Sequence, residues 1–488
     1  MSVRDLPRST PESEGIPSSA IEALVHAVND ENLGFHSLMI LRHGKVVAET
    51  WWKPYESERP HMMFSVSKSF TATAIGLAQH EGWLSVTDSV LSFFPSYASR
   101  FVKQNVKDME VRHLLSMATG HAVDTMEVMR SLPEEDWVKL FLNIPVEYPP
   151  GTHFLYNSGA SFVLSAIIRS RTGIGLREYL ESRLLLPMGM KDVPWECNPR
   201  GIEFGASGLR LRTEELAKFG QLYLQKGMWE GKQLLPQSWT EAATTSQVMN
   251  GTDSSSDWSQ GYGYQFWRSR HNSYRADGRY GQFSMVLPEQ DVVVAITAGT
   301  AESRRIPPLI WGHLLPQIHA TALAENKADH RRLVSLLSCQ EIPVPQFLPA
   351  DPPGSKSLHS RQIVLPFNTL HVKTMTVTFE HDSIRLTTVD SDGRENVMMA
   401  GRNEWRAGKT TLWPYEEMNE VTIQSVAGWF SSSVLQVRQQ CVDTPFMRLW
   451  QIECNSEDEV TVSVGLDNGF WAERTEVLNG HVERAPSE

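Results

Sequence analysis

Between Glu341 and Ser357 the chain crowds Pro343, Pro345, Pro349, Pro352, Pro353 and Gly354 together. Proline fixes φ and lacks an amide hydrogen, so such a run continues neither a helix nor the interior of a sheet. It divides the 488 residues into two parts that must each build a core. The texture differs on either side. Before the join, helical and strand patterns mix. After it, apolar and polar residues alternate over Val372–Phe379, Ile384–Thr388, Val434–Val437, Met447–Ile452 and Val460–Leu466, which read as strands. The expected organisation is a first domain at 1–335, a proline-rich linker at 336–357 and a β-rich domain at 358–488.

In the first part, Leu38, Ile40, Val46 and Val47 around a His43-Gly44 turn predict a hairpin, and a helix follows from Ser65 to about Glu81, stopping at Gly82. Val111–Met117, Glu134–Leu142, Ser158–Arg171 and Leu176–Leu186 also read as helices, so an all-helical subdomain is expected over about 87–200. Strand texture returns from Tyr262 to Ala298. There Tyr280–Leu287 and Val292–Thr297 flank a Pro288–Asp291 turn as expected neighbours in one antiparallel sheet. Ile306–Ala324 is expected to close this part as a helix.

Composition removes several classes of function. With 41% apolar residues the chain can bury a core, and 45 basic against 57 acidic residues leave a net charge of -12. That sign repels phosphate backbones, so no nucleic-acid partner is expected. The amino-terminal stretch carries charges and prolines where a signal peptide needs an apolar run, and no segment reaches the ~18 apolar residues of a membrane span. A cytoplasmic protein without a membrane partner is the expectation. Cys197, Cys339, Cys441 and Cys454 have no zinc-like spacing and read as free thiols, with a Cys441–Cys454 pairing across a hairpin as the alternative.

The chain contains no G-x-S-x-G elbow, H-E-x-x-H, Walker A loop or G-x-G-x-x-G. It does contain Ser65-Val66-Ser67-Lys68 at the start of the first long helix. A serine hydroxyl is a poor nucleophile until a base takes its proton, and a residue three positions on projects from the same helix face. The helix start adds free NH groups and a positive dipole suited to an oxyanion. The same spacing also fits a serine helix cap beside a solvated lysine. Tyr156-Asn157-Ser158 stands at a loop-to-helix junction, where a tyrosine can relay protons or simply pack with its hydroxyl on water. In Ala276-Asp277-Gly278-Arg279-Tyr280-Gly281-Gln282 the glycines permit close backbone approach to a ligand, and equally make an ordinary turn.

Together, in this order, these stretches resemble the serine β-lactamase and penicillin-binding protein superfamily, in its class C-like branch. The likeness spans about residues 10–325 and includes Phe64-Ser-Val-Ser-Lys-Ser-Phe70, Val111-Arg-His-Leu-Leu-Ser-Met117, Pro150-Gly-Thr-His-Phe-Leu-Tyr-Asn-Ser-Gly159, Gly205-Ala-Ser-Gly-Leu-Arg210 and Leu216-Ala-Lys-Phe-Gly-Gln221. It implies an α+β fold: an antiparallel sheet flanked by helices, an all-helical subdomain, and a cleft between them, here followed by the β-rich domain. It also implies a serine hydrolase that cleaves a small ester or amide through an acyl-enzyme and needs no metal or organic cofactor. Ser65 matches the family's nucleophile, Lys68 its partner lysine and Tyr156 its proton-relaying tyrosine. Ser158, Gly278, Arg279 and Tyr280 are the expected substrate-binding residues, and the backbone NH groups of Ser65 and Arg279 the expected oxyanion hole.

The departure lies in the third motif. The family commonly has Lys-Thr-Gly or His-x-Gly where this chain has Ala276-Asp277-Gly278. That favours a small neutral ester or amide over a β-lactam, with Asp277 expected to repel a substrate carboxylate. Arg275 and Arg279 are possible replacements for the missing cation, or solvated strand-end charges. Trp258, Trp267 and Tyr280 either line the pocket or pack in the core. The alternatives are a β-lactamase or D-amino-acid peptidase, and a catalytically silent binding or scaffold protein with this fold.

Overall fold

The computed structural model describes residues 5–98, 103–412, 420–467 and 475–483. The chain falls into two compact units. One comprises Met1–Thr50, Pro60–Ala298 and Glu302–Cys339, and the other Trp51–Arg59, Gly299–Ala301 and Gln340–Glu488.

In the first unit, strands β1 (Phe35–Arg42), β2 (Lys45–Trp51), β3 (Trp267–Arg268), β4 (Tyr274–Gly278), β5 (Gln282–Leu287) and β6 (Val292–Ala298) form one sheet in the order β2-β1-β6-β5-β4-β3. The hairpin at His43-Gly44 and the antiparallel pairing of Val292 with Leu287 match the sequence expectation. The strand predicted from Tyr280 instead begins at Gln282. Tyr280 and Gly281 both have positive φ (67° and 93°), which turns the chain between β4 and β5. Strands β1, β5 and β6 are buried along their whole length, so the sheet is covered on both faces there.

Five helices position the residues singled out in the sequence: α1 (Ser18–Asp30), α2 (Val66–His80), α3 (Thr125–Ser131), α4 (Ser158–Thr172) and α5 (Thr213–Leu224). Helix α5 packs on β1, β5 and β6, whereas α2 packs between β4 and α4. Every residue of α2 from Val66 to Ala78 is buried, although its Ser and Thr residues are weak helix formers. Their hydroxyls are all used: Ser69 donates to Gln265 O (2.7 Å), Thr71 to Gly205 O (2.7 Å), and Thr73 bonds Tyr223 OH (2.8 Å). These bonds tie α2 to the loop at Gly205, to Gln265 just before β3 and to α5.

The closing helix expected over Ile306–Ala324 is broken. An α-helical turn at Ile306–Leu309 passes into a π turn at Ile310–Leu314 and a 3₁₀ turn at Leu315–Gln317, where Pro316 removes an amide donor. A helix at Lys327–Ser338 was not expected. Of its residues only Leu333 is buried.

The second unit holds β7 (Gln362–Val364), β8 (Val372–Phe379), β9 (Ser383–Asp390), β10 (Glu395–Gly401), β11 (Arg406–Thr410), β12 (Val421–Trp429), β13 (Val434–Cys441), β14 (Met447–Cys454), β15 (Glu459–Asp467) and β16 (Glu476–Val482). They form a barrel-like sheet in the order β10-β9-β8-β7-β16-β15-β14-β13-β12-β11, which closes where Gly401 pairs with Val426. None of the four cysteines forms a disulfide. The alternative Cys441–Cys454 bridge fails because Cys441 sits at the turn of the β13–β14 hairpin and Cys454 at its far end. No described helix is long and apolar enough to cross a membrane.

Candidate active site

Ser65 is the residue before α2, and its side chain makes no capping bond to the helix. Instead its Oγ lies 2.9 Å from Lys68 Nζ, one helical turn on. Lys68 is not solvated: it is 2% exposed, and Nζ also donates to Ala206 O at 2.8 Å. These two observations decide against a serine cap beside a surface lysine. Burial disfavours the ammonium and pushes the Lys68 pKa down to about 7; Asp124 and Asp277 raise it and Arg130 lowers it. Near neutral pH a large fraction of Lys68 is therefore free amine, able to accept a proton.

The turn before α2 holds Ser65 outward. Phe64 adopts φ of 47°, a left-handed conformation that costs a non-glycine residue about 1–2 kcal/mol. Contacts at both its carbonyl and its ring hold it. Ser67 Oγ donates to Phe64 O at 2.6 Å, and the Phe64 ring meets Tyr280 edge-on at 5.2 Å. Gly278, at the end of β4, closes the turn from the sheet side. A Cβ there would lie 2.2 Å from Met63 O, so only glycine lets β4 approach the backbone two residues before Ser65.

Tyr156 arrives from the helical subdomain. Burial pushes its pKa well up, reinforced by Asp277 and Asp124 and opposed by the nearby Ser65 side chain. Lys68 Nζ lies 4.9 Å from the Tyr156 ring centroid, and the ring stacks on Trp267 at 5.5 Å. The loop is held by the fully buried Asn157, which caps α4: its Oδ1 accepts from Gly159 N (3.1 Å), Thr125 N (3.1 Å) and Thr125 Oγ1 (2.7 Å). Asp124 caps α3 through Met126 N (3.0 Å) and accepts from Ser158 N at 2.8 Å.

Ser65, Lys68 and Tyr156 thus meet at one point from two parts of the fold, with Gly278 against their turn. The other expected binding residues divide. Ser158 is half-buried at the start of α4, and Arg279 is exposed, its guanidinium 5.2 Å from the Tyr280 ring. Tyr280 is 3% exposed and supports Phe64 rather than facing open space. Trp267 borders Tyr156, while Trp258 packs on Arg275 at 4.2 Å.

Two expectations for the third motif are corrected. Arg275 is no solvated strand-end charge; it is 0% exposed, with Nε on Asp277 Oδ2 at 2.9 Å, Nη1 on Asp257 O at 2.9 Å and a further bond to Ser269 Oγ. Asp277 is therefore paired, which weakens its repulsion of a substrate carboxylate. Sequence reasoning also missed Asn157, Asp124 and Ala206. Asn157 lies in the Tyr156-Asn157-Ser158 motif, and Asp124 precedes a helix as an N-cap should, but the Ala206 contact is a backbone carbonyl and leaves no side-chain signal. Among the described residues no group of three or more His, Cys, Asp or Glu is placed to hold a metal ion.

A family model described as Beta-lactamase matches residues 26–307. A 6-aminohexanoate-dimer hydrolase of Paenarthrobacter ureafaciens is 23% identical over 313 residues, covering 59% of this chain and 79% of that protein. A D-aminopeptidase of Brucella anthropi is 28% identical over 189 residues, 36% of this chain and 35% of that relative, so the match spans about a third of its length. Among solved structures, a Bacillus anthracis protein assigned as a 6-aminohexanoate-dimer hydrolase superposes with a TM-score of 0.54 at 20% identity, over 66% of this chain and 89% of that one. That likeness is one of fold.

Proposed function

The chain belongs to the β-lactamase family of serine hydrolases, and on that premise we propose that it hydrolyses small amides or esters through an acyl-enzyme on Ser65. The observation that carries this reading is the buried Lys68 amine 2.9 Å from Ser65 Oγ, with its pKa near 7. Lys68 Nζ accepts the hydroxyl proton as Oγ attacks the substrate carbonyl carbon. The developing oxyanion is held by the backbone NH groups of Ser65 and Arg279, aided by the positive end of α2. As the tetrahedral intermediate collapses, the leaving nitrogen or oxygen takes a proton from Tyr156, which is resupplied by the Lys68 ammonium. Water then adds to the acyl carbonyl, giving its proton back to the same pair, and the acid departs as Ser65 regains its hydroxyl proton.

The names of the relatives, a 6-aminohexanoate-dimer hydrolase and a D-aminopeptidase, favour an amide as the bond cleaved. The family commonly presents a lysine, histidine or hydroxyl-bearing residue in this motif, whereas this chain has the Arg275-paired Asp277 near the end of β4. A substrate carboxylate beside the scissile bond finds no partner at that position, so β-lactams are poor substrates. In a panel of a short-chain p-nitrophenyl ester, a D-amino-acid p-nitroanilide and a chromogenic cephalosporin, kcat/KM for the ester should exceed that for the cephalosporin by at least ~10²-fold, or ~2.7 kcal/mol of transition-state stabilisation. Ser65→Ala should abolish turnover of all three. Equal efficiency on ester and cephalosporin contradicts the assigned substrate class.

A further inference from the structure

A buried ion pair stands beside the candidate site and takes no part in the catalytic steps proposed for Ser65, Lys68 and Tyr156. Arg275 and Asp277 are two residues apart on β4 and share one face of the strand. The Arg275 guanidinium is enclosed by Trp258 at 4.2 Å, Trp267 at 5.8 Å and Phe283 at 5.8 Å, and its Nη2 is buried without a hydrogen-bond partner. A guanidinium so enclosed strongly favours an ionised carboxylate beside it. Trp267, which walls this pair, is also the ring on which Tyr156 stacks, and Gly278, next along β4, abuts the turn that carries Ser65.

We propose that Asp277, clamped by Arg275, is a positioning residue whose charge assigns the proton-accepting role to Lys68 and keeps Tyr156 a neutral proton donor. This rests on the catalytic reading of Ser65, Lys68 and Tyr156. A negative charge at this position stabilises a lysine ammonium and opposes a tyrosinate, whereas a lysine or histidine there would do the reverse to both. The groups acting on Lys68 are Asp124 and Asp277, which raise its pKa, and Arg130, which lowers it. Burial raises the pKa of Asp277 on balance, against Arg275, Trp258 and Arg304, which lower it. With Tyr156 protonated when Ser65 Oγ attacks, the lysine amine is the group left to take the serine proton.

The test is the pH dependence of kcat/KM for the short-chain ester, with stoichiometric fluorophosphonate labelling of Ser65 as the control. In wild type the acidic limb reports deprotonation of Lys68. Asp277→Asn keeps an acceptor for Arg275 Nε but removes the charge, so the limb should move to lower pH by about one unit, leaving the variant several-fold faster than wild type, relative to its own plateau, on the acid side. Asp277→Glu keeps the charge and should hold the wild-type limb. Should Asp277→Asn fail to fold with Arg275 left uncompensated, Arg275→Met/Asp277→Asn buries neither charge and should still move the limb downward, by less than Asp277→Asn because no unopposed guanidinium remains. A limb that stays in place or moves up in a variant still labelled at Ser65 overturns the proposal. Failure of wild-type Ser65 to label overturns instead the catalytic reading beneath it.

Discussion

Replacing Lys68 with methionine should stabilise the first unit near neutral pH, and the gain should vanish as the pH rises. Lys68 is 2% exposed, and burial holds its pKa at about 7 against an ordinary 10.5. Between those values the unfolded chain carries a proton that the folded one has released, so wild-type stability climbs as the pH rises through this window. At about 1.4 kcal/mol per pH unit the full climb amounts to roughly 4–5 kcal/mol. Methionine occupies a similar volume and never incurs that penalty. It does lose the bond to Ala206 O at 2.8 Å, and a buried carbonyl left unmatched costs about 1–3 kcal/mol at any pH. The variant should therefore be more stable than wild type by about 1–4 kcal/mol near pH 7, and no more stable than wild type near pH 10. Urea unfolding followed by the helix band of circular dichroism reads the first unit, which contains all the described helices longer than one turn. Parallel stability–pH curves for the two proteins would refute the reasoning, because Lys68 would then titrate as an ordinary lysine.

Gly278→Ala places a Cβ 2.2 Å from Met63 O, so β4 and the Ser65 turn must separate; turnover should drop by about 10²-fold, as misplaced reacting groups do, with circular dichroism unchanged. Unaltered kcat in a folded variant would mean that this approach does not hold the site. Lys68→Ala and Tyr156→Phe should each reduce kcat by ~10²-fold or more, and the double variant by far less than their product, since members of one proton relay fail together. Multiplicative losses would indicate independent roles.

The closeness of Ser65 and Lys68 is legible because an i, i+3 spacing at a helix start puts two side chains on one face, whereas Tyr156 is singled out only by the resemblance of its Tyr-Asn-Ser stretch to the family. What the spacing did not contain was burial. Lys68 is buried rather than solvated because α2 is enclosed from Val66 to Ala78, a property of the assembled fold. Arg275 and Asp277 share a face by strand periodicity alone, yet their enclosure under Trp258 and Trp267 depends on where the chain returns after Asp257. In the barrel-like unit, β8 and β14 were readable from their alternation. Gln362–Val364 is too short to show a period, and Arg406–Thr410 buries only Thr410, so neither carries an apolar pattern to read.

The central claim is that Ser65 is an activated nucleophile, and the most direct measurement is peptide mapping of the protein after reaction with a fluorophosphonate probe. An activated serine reacts with such an electrophile where a capping serine does not. The account predicts one adduct per chain, on Ser65, with labelling that rises through the pH at which Lys68 becomes an amine, about 7, and that is lost in Lys68→Ala. A stoichiometric adduct on another serine, or none on the folded protein, would contradict it.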